Sequence, residues 1–396
     1  MSLTDTPNAN RLHITLFGRR NSGKSSLINA LTGQDIALVS NTPGTTTDLV
    51  SKAMEIQGIG PCLFIDTPGF DDEGELGELR ISRTLKAIEK TDIALLLCED
   101  TTFFHEKEIL ALLKEKNIPV IPVLNKIDIR ENSDHLATYI EEQCKIHPLL
   151  ISAKEKIGIE LIRQAILEKL PSDFGQQNIT GKLVAENDLV LLVMPQDIQA
   201  PKGRLILPQV QTIRELLDKK CLVMTCTTDK FSATLQALAR PPKLIITDSQ
   251  VFKAIYEQKP KESELTSFSV LFAGYKGDIH YYVESAAVIE RLTESSRVLI
   301  AEACTHAPLS EDIGRVKLPR LLRKRIGENL QIDMVAGTDF PQDLTPYSLV
   351  IHCGACMFNR KYVLSRIERA REQHIPMTNY GVAIAFLNGI LDQIKY

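Results

Sequence analysis

The octapeptide Gly18-Arg19-Arg20-Asn21-Ser22-Gly23-Lys24-Ser25 stands between an apolar run, Leu12 to Phe17, and an amphipathic one, Ser26 to Thr32. A G-x-x-x-x-G-K-S loop between a strand and a helix leaves few folds open, because its backbone N–H groups must converge on phosphate at a helix N-terminus. Gly18 and Gly23 let the chain curl, Lys24 is expected to reach the β and γ oxygens, and the Ser25 hydroxyl to ligate magnesium. Asn21, Ser22 and Ser26 complete the expected phosphate cradle.

The motifs that should follow such a loop are present in order. Thr42-Pro43-Gly44-Thr45-Thr46-Thr47-Asp48 has the composition of a first switch loop, whose threonines close on magnesium and the γ-phosphate. Thr45, Thr46 and Thr47 are all candidates, with Thr47 assigned to magnesium. After the strand Pro61 to Ile65 comes Asp66-Thr67-Pro68-Gly69, where the carboxylate holds magnesium through water and the Gly69 N–H meets the γ-phosphate. Lys24, Thr46, Thr47, Asp66 and Gly69 are therefore the expected catalytic groups.

Asn125-Lys126-Ile127-Asp128 follows the strand Val120 to Leu124. The Asp128 carboxylate can accept from N1–H and the 2-amino group of guanine; adenine offers neither donor and leaves a buried charge unpaired. Ser152-Ala153-Lys154 fits the loop whose N–H meets guanine O6. The expected nucleotide is GTP with Mg2+.

The chain has 396 residues, and at about 100–200 residues per domain it should hold several cores. The spacing of apolar runs predicts three α/β domains: a P-loop nucleotide-binding fold at 1–172, a small parallel module at 180–265 and a second parallel module at 266–396. Pro171 to Asp188 reads as linker. In the middle module Leu189 to Met194, Cys221 to Thr225 and Leu244 to Thr247 read as strands, with helices at Gln209 to Lys219 and Phe231 to Ala239. So small a sheet gains from pairing with a second copy. In the last module Ser269 to Gly274 reads as a strand and Val283 to Leu292 as a helix. Further strands are expected at Arg297 to Ala303, Gln331 to Val335 and Ser348 to Ile351, with Pro376 to Tyr380 as another loop at the strand ends.

The eight cysteines are expected as thiols, since no secretion signal opens the chain and a cytoplasmic location is expected. Cys62, Cys98, Cys144, Cys221 and Cys226 are scattered among apolar residues and read as core. Cys304-Thr305-His306 and His352-Cys353-Gly354-Ala355-Cys356 form a C-x-H…H-C-x-x-C array following predicted strands, where an open parallel sheet builds its ligand crevice. Structural zinc and an iron–sulfur cluster both suit Cys304, Cys353, Cys356, His306 and His352. A net charge of -4 gives no global attraction for a phosphate backbone, and no apolar run reaches the roughly 20 residues of a membrane helix. Neither a nucleic acid nor a membrane is expected as partner.

Two resemblances follow from these residues. Phe70 stands after Asp66-Thr67-Pro68-Gly69 where small GTPases carry a water-orienting glutamine, which resembles the TrmE and Era type of GTPase. In that group the position of Asn21 can hold a potassium ion against the phosphates. The following segment, Asp71 to Glu78, is acidic and expected to be ordered by nucleotide or partner. Such a G domain joined to the C-x-H…H-C-x-x-C array is similar to the HydF family, the GTPases that mature FeFe hydrogenase. The resemblance implies a homodimer or tetramer with a 4Fe-4S cluster on Cys304, Cys353 and Cys356, and His306 and His352 as further candidate ligands. It implies a scaffold that receives a diiron subcluster precursor from radical-SAM maturases and passes it to apo FeFe hydrogenase. The alternative is a tRNA- or ribosome-directed GTPase with a C-terminal structural zinc site.

Overall fold

The computed structural model describes residues 6–32, 50–69, 83–171, 174–175, 177–195, 205–303 and 312–396. Thr45 to Thr47, Phe70 to Glu78, residues 196–204, Cys304 and His306 lie outside them. The chain divides into two compact units, Met1–Phe174 and Gly175–Tyr396.

The first unit contains β1 (Leu12–Phe17), α1 (Lys24–Thr32), β2 (Val50–Ile56), β3 (Gly60–Asp66), β4 (Ile93–Cys98), α2 (Phe104–Glu115), β5 (Val120–Leu124), α3 (Ser133–Cys144), β6 (Leu149–Leu150) and α4 (Ile159–Glu168). They form one six-stranded sheet in the order β2-β3-β1-β4-β5-β6. Only β2 runs antiparallel, against β3. Strands β1, β4 and β5 are buried along their whole length, as sheets covered on both faces must be. Leu12, Ile14 and Leu16 pack toward Leu27, Leu31 and Ile162, while Leu96 packs on the other face with Ile109, Leu113 and Ile140. The polar residues of β1 find partners: Thr91 Oγ1 donates to Thr15 Oγ1 at 2.7 Å.

The second unit continues with β7 (Leu189–Val193), α5 (Leu207–Asp218), β8 (Leu222–Cys226), α6 (Phe231–Ala237), β9 (Leu244–Thr247), α7 (Phe252–Gln258), β10 (Glu264–Ser267), α8 (Phe268–Lys276) and α9 (Ile279–Ala286). It ends with β11 (Arg297–Glu302), α10 (Leu318–Ile326), β12 (Gln331–Ala336), β13 (Leu349–His352), α11 (Arg360–Glu372), β14 (Met377–Asn379) and α12 (Tyr380–Leu387). Two parallel four-stranded sheets result, β10-β9-β7-β8 and β12-β11-β13-β14. Leu191 and Ile245 of the first sheet belong to the same buried cluster as Leu299 and Val350 of the second.

The sequence expectation fails at Ser269 to Gly274, which is helix α8 and not a strand. Phe268, Val270, Leu271, Phe272 and Ala273 are all buried, and a helix whose apolar residues cover more than one face shows no clear polar stripe to mark its period. The Ser267 side chain caps it by accepting from Val270 N at 3.2 Å. The segment read as linker is partly docked: Ile179 and Val184 are buried, and Glu215 accepts from the backbone N–H groups of Ile179 and Thr180. Pro376 to Tyr380 is not a plain loop, because Met377–Asn379 pairs with β13.

Candidate functional sites

In the first unit every parallel strand ends at one edge of the sheet. The Leu16↔Asp66 pairing of β1 with β3 carries Asp66 to the phosphate loop, and Ser25 Oγ donates to Asp66 Oδ2 at 2.6 Å. These are the groups expected around magnesium. Burial pushes the Asp66 carboxyl up, opposed by Ser25 and by the Lys24 ammonium. Lys24 Nζ donates to the Gly18 and Arg19 carbonyls at 2.8 and 2.7 Å, so the ammonium lies within the curl of the loop. Gly23 sits at φ +91°, and a Cβ there would come within 2.2 Å of Asn125 Nδ2. Asn21 is exposed in the left-handed region at φ 62°, and Ser26 is exposed on the first turn of α1.

Asn125 joins the loops. Its amide nitrogen donates to Ser22 O at 3.0 Å, and its amide oxygen accepts from Ala153 N at 3.0 Å. The guanine-recognition loop, the phosphate loop and the Ser152-Ala153-Lys154 loop thus meet at one side chain. Asp128 is exposed, with its carboxyl held below the usual range chiefly by a Ser152 hydrogen bond.

A network that the motifs do not specify braces this arrangement from the strand end after β4. Arg19, inside the phosphate loop, donates to Asp100 Oδ2 at 3.0 Å, to Thr102 O at 2.7 Å and to Glu106 Oε2 at 3.1 Å. Lys126 Nζ donates to Glu99 Oε1 at 3.1 Å, and Arg130 Nε to Asn125 O at 3.1 Å. Burial pushes the Glu106 carboxyl up against the pull of Arg19. The only sequence cue was paired charge, Arg19-Arg20 facing Glu99-Asp100, whose separation hides the match.

In the second unit Cys353 follows β13, and its N–H donates to Ala301 O of β11 at 2.9 Å. The Cys353 sulfur accepts from Ala303 N at 3.1 Å and Ala355 N at 3.4 Å. Ala303 is the last described residue before Cys304. Burial pushes the Cys353 thiol up to about 11, while the N–H of Ala355 pulls the other way. Among the described residues no group of three or more histidines, cysteines and acids is gathered to hold a metal.

His352 is fully buried. Its Nδ1 lies 2.8 Å from Cys353 O, and Arg366 Nη1 lies 2.9 Å from its Nε2. A carbonyl only accepts, so Nδ1 carries the proton and Nε2 accepts from Arg366. Burial and Arg366 push its pKa down to about 3, and the ring is neutral. With both nitrogens engaged, His352 offers no ring nitrogen to a metal here, which differs from the ligand role expected for it. It orients the Cys353 carbonyl instead.

Two cations bracket this loop. Lys276, 2% exposed, donates to the carbonyls of Ala355, Cys356 and Phe358 at 3.3, 3.3 and 2.5 Å. Arg366, 1% exposed, lies over the rings of Phe340, Phe358 and Tyr362 at 4.6 to 4.7 Å and donates to Gly337 O at 2.6 Å. Neither has a carboxylate partner among the described residues. A buried cation normally requires a counter-charge. Sulfur receiving backbone N–H groups between two such cations fits a thiolate-bound, anionic metal centre, and Cys353 and Cys356 are the described residues that would hold it.

Replacing Arg19 by Met leaves the buried Glu106 without its partner. R19M is expected to lower the stability of the chain by about 3–5 kcal/mol in urea denaturation, and R19M/E106L to recover most of the loss. Equal stability of R19M and the parent chain removes the bracing role.

The model described as 50S ribosome-binding GTPase matches residues 13–126. The tRNA modification GTPase MnmE of Dechloromonas aromatica is 40% identical over 159 residues, 39% of this chain and 34% of that protein. The same enzyme from Nitrosomonas europaea is 38% identical over 174 residues, 43% of this chain and 37% of that protein. The chain therefore spans little more than a third of the length of these curated relatives. Among solved structures, the G domain of the T. maritima FeoB iron transporter is 25% identical, with a TM-score of 0.33, covering 40% of this chain and 98% of that one. With its motifs and fold, the first unit is a GTPase domain. The hydrogen maturase F dimerization model matches residues 179–277 and the hydrogen maturase F tetramerization model matches residues 280–395. A GTPase domain followed by both of these modules has one reading: the chain belongs to the hydrogen maturase F family.

Proposed function

We propose that this GTPase is a metallocofactor scaffold: Cys304, Cys353 and Cys356 hold a 4Fe-4S cluster, on which a diiron subcluster precursor is carried as cargo to apo FeFe hydrogenase. Radical-SAM maturases supply the cargo in this reading, and the protein works in the cytoplasm as an oligomer. Among the described residues no helix is long and apolar enough to cross a membrane. Membership of the family supports a capacity for oligomerisation, and the edge strand β8 exposes Leu222 and Met224.

The observation that carries the proposal is the cysteine loop at the carboxyl end of β13, with two buried cations and no carboxylate to balance them among the described residues. Held by Cys304, Cys353 and Cys356, a 4Fe-4S cluster would leave one iron without a cysteine ligand, a docking point for the cargo. Ala303 and Ala355 orient the Cys353 sulfur through their N–H groups. His352 and Arg366 fix the Cys353 carbonyl, so that the sulfur is presented in one direction. The guanine-nucleotide state governs exchange of partners through the switch segments; Ser25 and Asp66 hold magnesium and Lys24 the phosphates. The tRNA- or ribosome-directed reading with structural zinc draws support from the MnmE likeness, which is confined to about two fifths of the chain.

Anaerobic loading of the full chain with iron and sulfide is expected to give absorbance near ~400 nm and an EPR signal on reduction. Cys353→Ala is expected to lose the bound iron and hydrogenase maturation while keeping GTP turnover. A colourless protein that takes up zinc alone supports the other reading and ends this one. Potassium at Asn21 is expected to raise GTP turnover above that in sodium at equal ionic strength, and Asn21→Ala to abolish the difference. Identical turnover of the parent chain in both salts eliminates the potassium site.

A further inference from the structure

Helix α8 begins directly after β10, in the first sheet of the second unit, and ends at Lys276 against the cysteine loop. Residue 276 falls within the dimerization model, and residues 355–358 within the tetramerization model. One buried helix therefore connects the two matched modules. Its N-terminal half is bonded to the same region: Ser269 Oγ donates to Asn379 Oδ1 at 3.0 Å and accepts from Gly381 N at 3.1 Å. Asn379 Nδ2 in turn donates to Cys353 O at 3.3 Å. At its C-terminal end the carbonyls of Tyr275 and of Gly277, the residue after the helix, accept from Arg360 at 3.2 Å each.

The Lys276 ammonium is the hub of these contacts. A Met or Leu at the end of a largely buried apolar helix would bury the same volume without desolvating a charge, so the lysine needs a reason beyond packing. All three of its acceptors are main-chain carbonyls of the loop that carries Cys356. Ala355 gives its carbonyl to Lys276 and its N–H to the Cys353 sulfur, and it holds a left-handed φ of 51° that a non-glycine residue adopts only when surrounding contacts over-determine it. At Ala355 the carbonyl faces the ammonium while the N–H faces the Cys353 sulfur. The ammonium also stands as positive charge beside both cysteines.

We propose that Lys276 is the positioning residue of the cysteine loop: from the end of α8 it sets the Ala355–Phe358 backbone, supplies a counter-charge to an anionic metal centre there, and ties that loop to the first sheet of the unit. The counter-charge part rests on the cluster reading above. The backbone part does not.

The test uses the full chain with Lys276→Met, and Lys276→Arg as the variant that keeps the charge. In the metal-free chain, hydrogen exchange in the peptide spanning residues 353–358 is expected to quicken by tenfold or more in K276M, while GTP turnover stays unchanged. In the iron-loaded chain, K276M is expected to lose iron to a chelator at least tenfold faster, and its cluster to reduce at a lower potential, because cluster potential follows local charge and hydrogen bonding. K276R is expected to restore the potential. Parental exchange in K276M overturns the backbone role, and a parental potential overturns the counter-charge. If the parent chain takes up no iron, the cluster reading falls together with the counter-charge, and the exchange measurement still decides the backbone role. If K276M does not fold, K276R is compared with Lys276→Gln by the same two readouts.

Discussion

Parallel pairing delivers the carboxyl ends of neighbouring strands to one edge, and both sites of this chain are consequences of that constraint. In the first unit, β1, β3, β4, β5 and β6 end together, which brings Gly18, Asp66, Glu99, Asn125 and Ser152 to a single rim. In the second, β11, β12, β13 and β14 are followed directly by Ala303, Gly337, Cys353 and Tyr380. Side chains that are remote in sequence become neighbours because register leaves them nowhere else to go. The GTP site and the cysteine loop are built by the same geometry with different chemistry.

What differs is how each rim handles charge. Around the phosphate loop, cations and carboxylates occur in matched pairs, Arg19 with Glu106 and Lys126 with Glu99. Around Cys353 the described cations, Lys276 and Arg366, face carbonyls, aromatic rings and a neutral histidine. The first arrangement is balanced by the protein itself and positions loops for an incoming nucleotide. The second leaves positive charge beside sulfur.

The GTPase half was legible because phosphate and guanine recognition demand particular residues at contiguous positions. Gly18 to Ser25, Asp66 to Gly69 and Asn125 to Asp128 could be read without knowing any tertiary contact. The order of strands and helices was legible for the same sort of reason, since short β-rich runs alternate with longer segments. Helix α8 was not, because apolar residues on more than one face obscured its periodicity. The partners of His352 were not legible, because its residue type suits a metal, whereas its ring nitrogens meet the Cys353 carbonyl and Arg366 on another element. Lys276 and Arg366 looked like ordinary basic residues, and nothing local announces that a lysine ends a buried helix or that an arginine is enclosed by Phe340, Phe358 and Tyr362. Local chemistry is written in adjacent letters; charge left over after folding is not.

The central claim is that the rim at Cys353 accommodates an anionic, sulfur-ligated iron centre. X-ray absorption at the iron and zinc edges of the anaerobically loaded full chain tests it most directly. The account predicts an iron edge with a sulfur-dominated first shell and iron–iron backscattering, both lost together in a Cys353→Ala, Cys356→Ala chain. A zinc edge with no bound iron, or iron in an oxygen and nitrogen shell that survives loss of both cysteines, would contradict it.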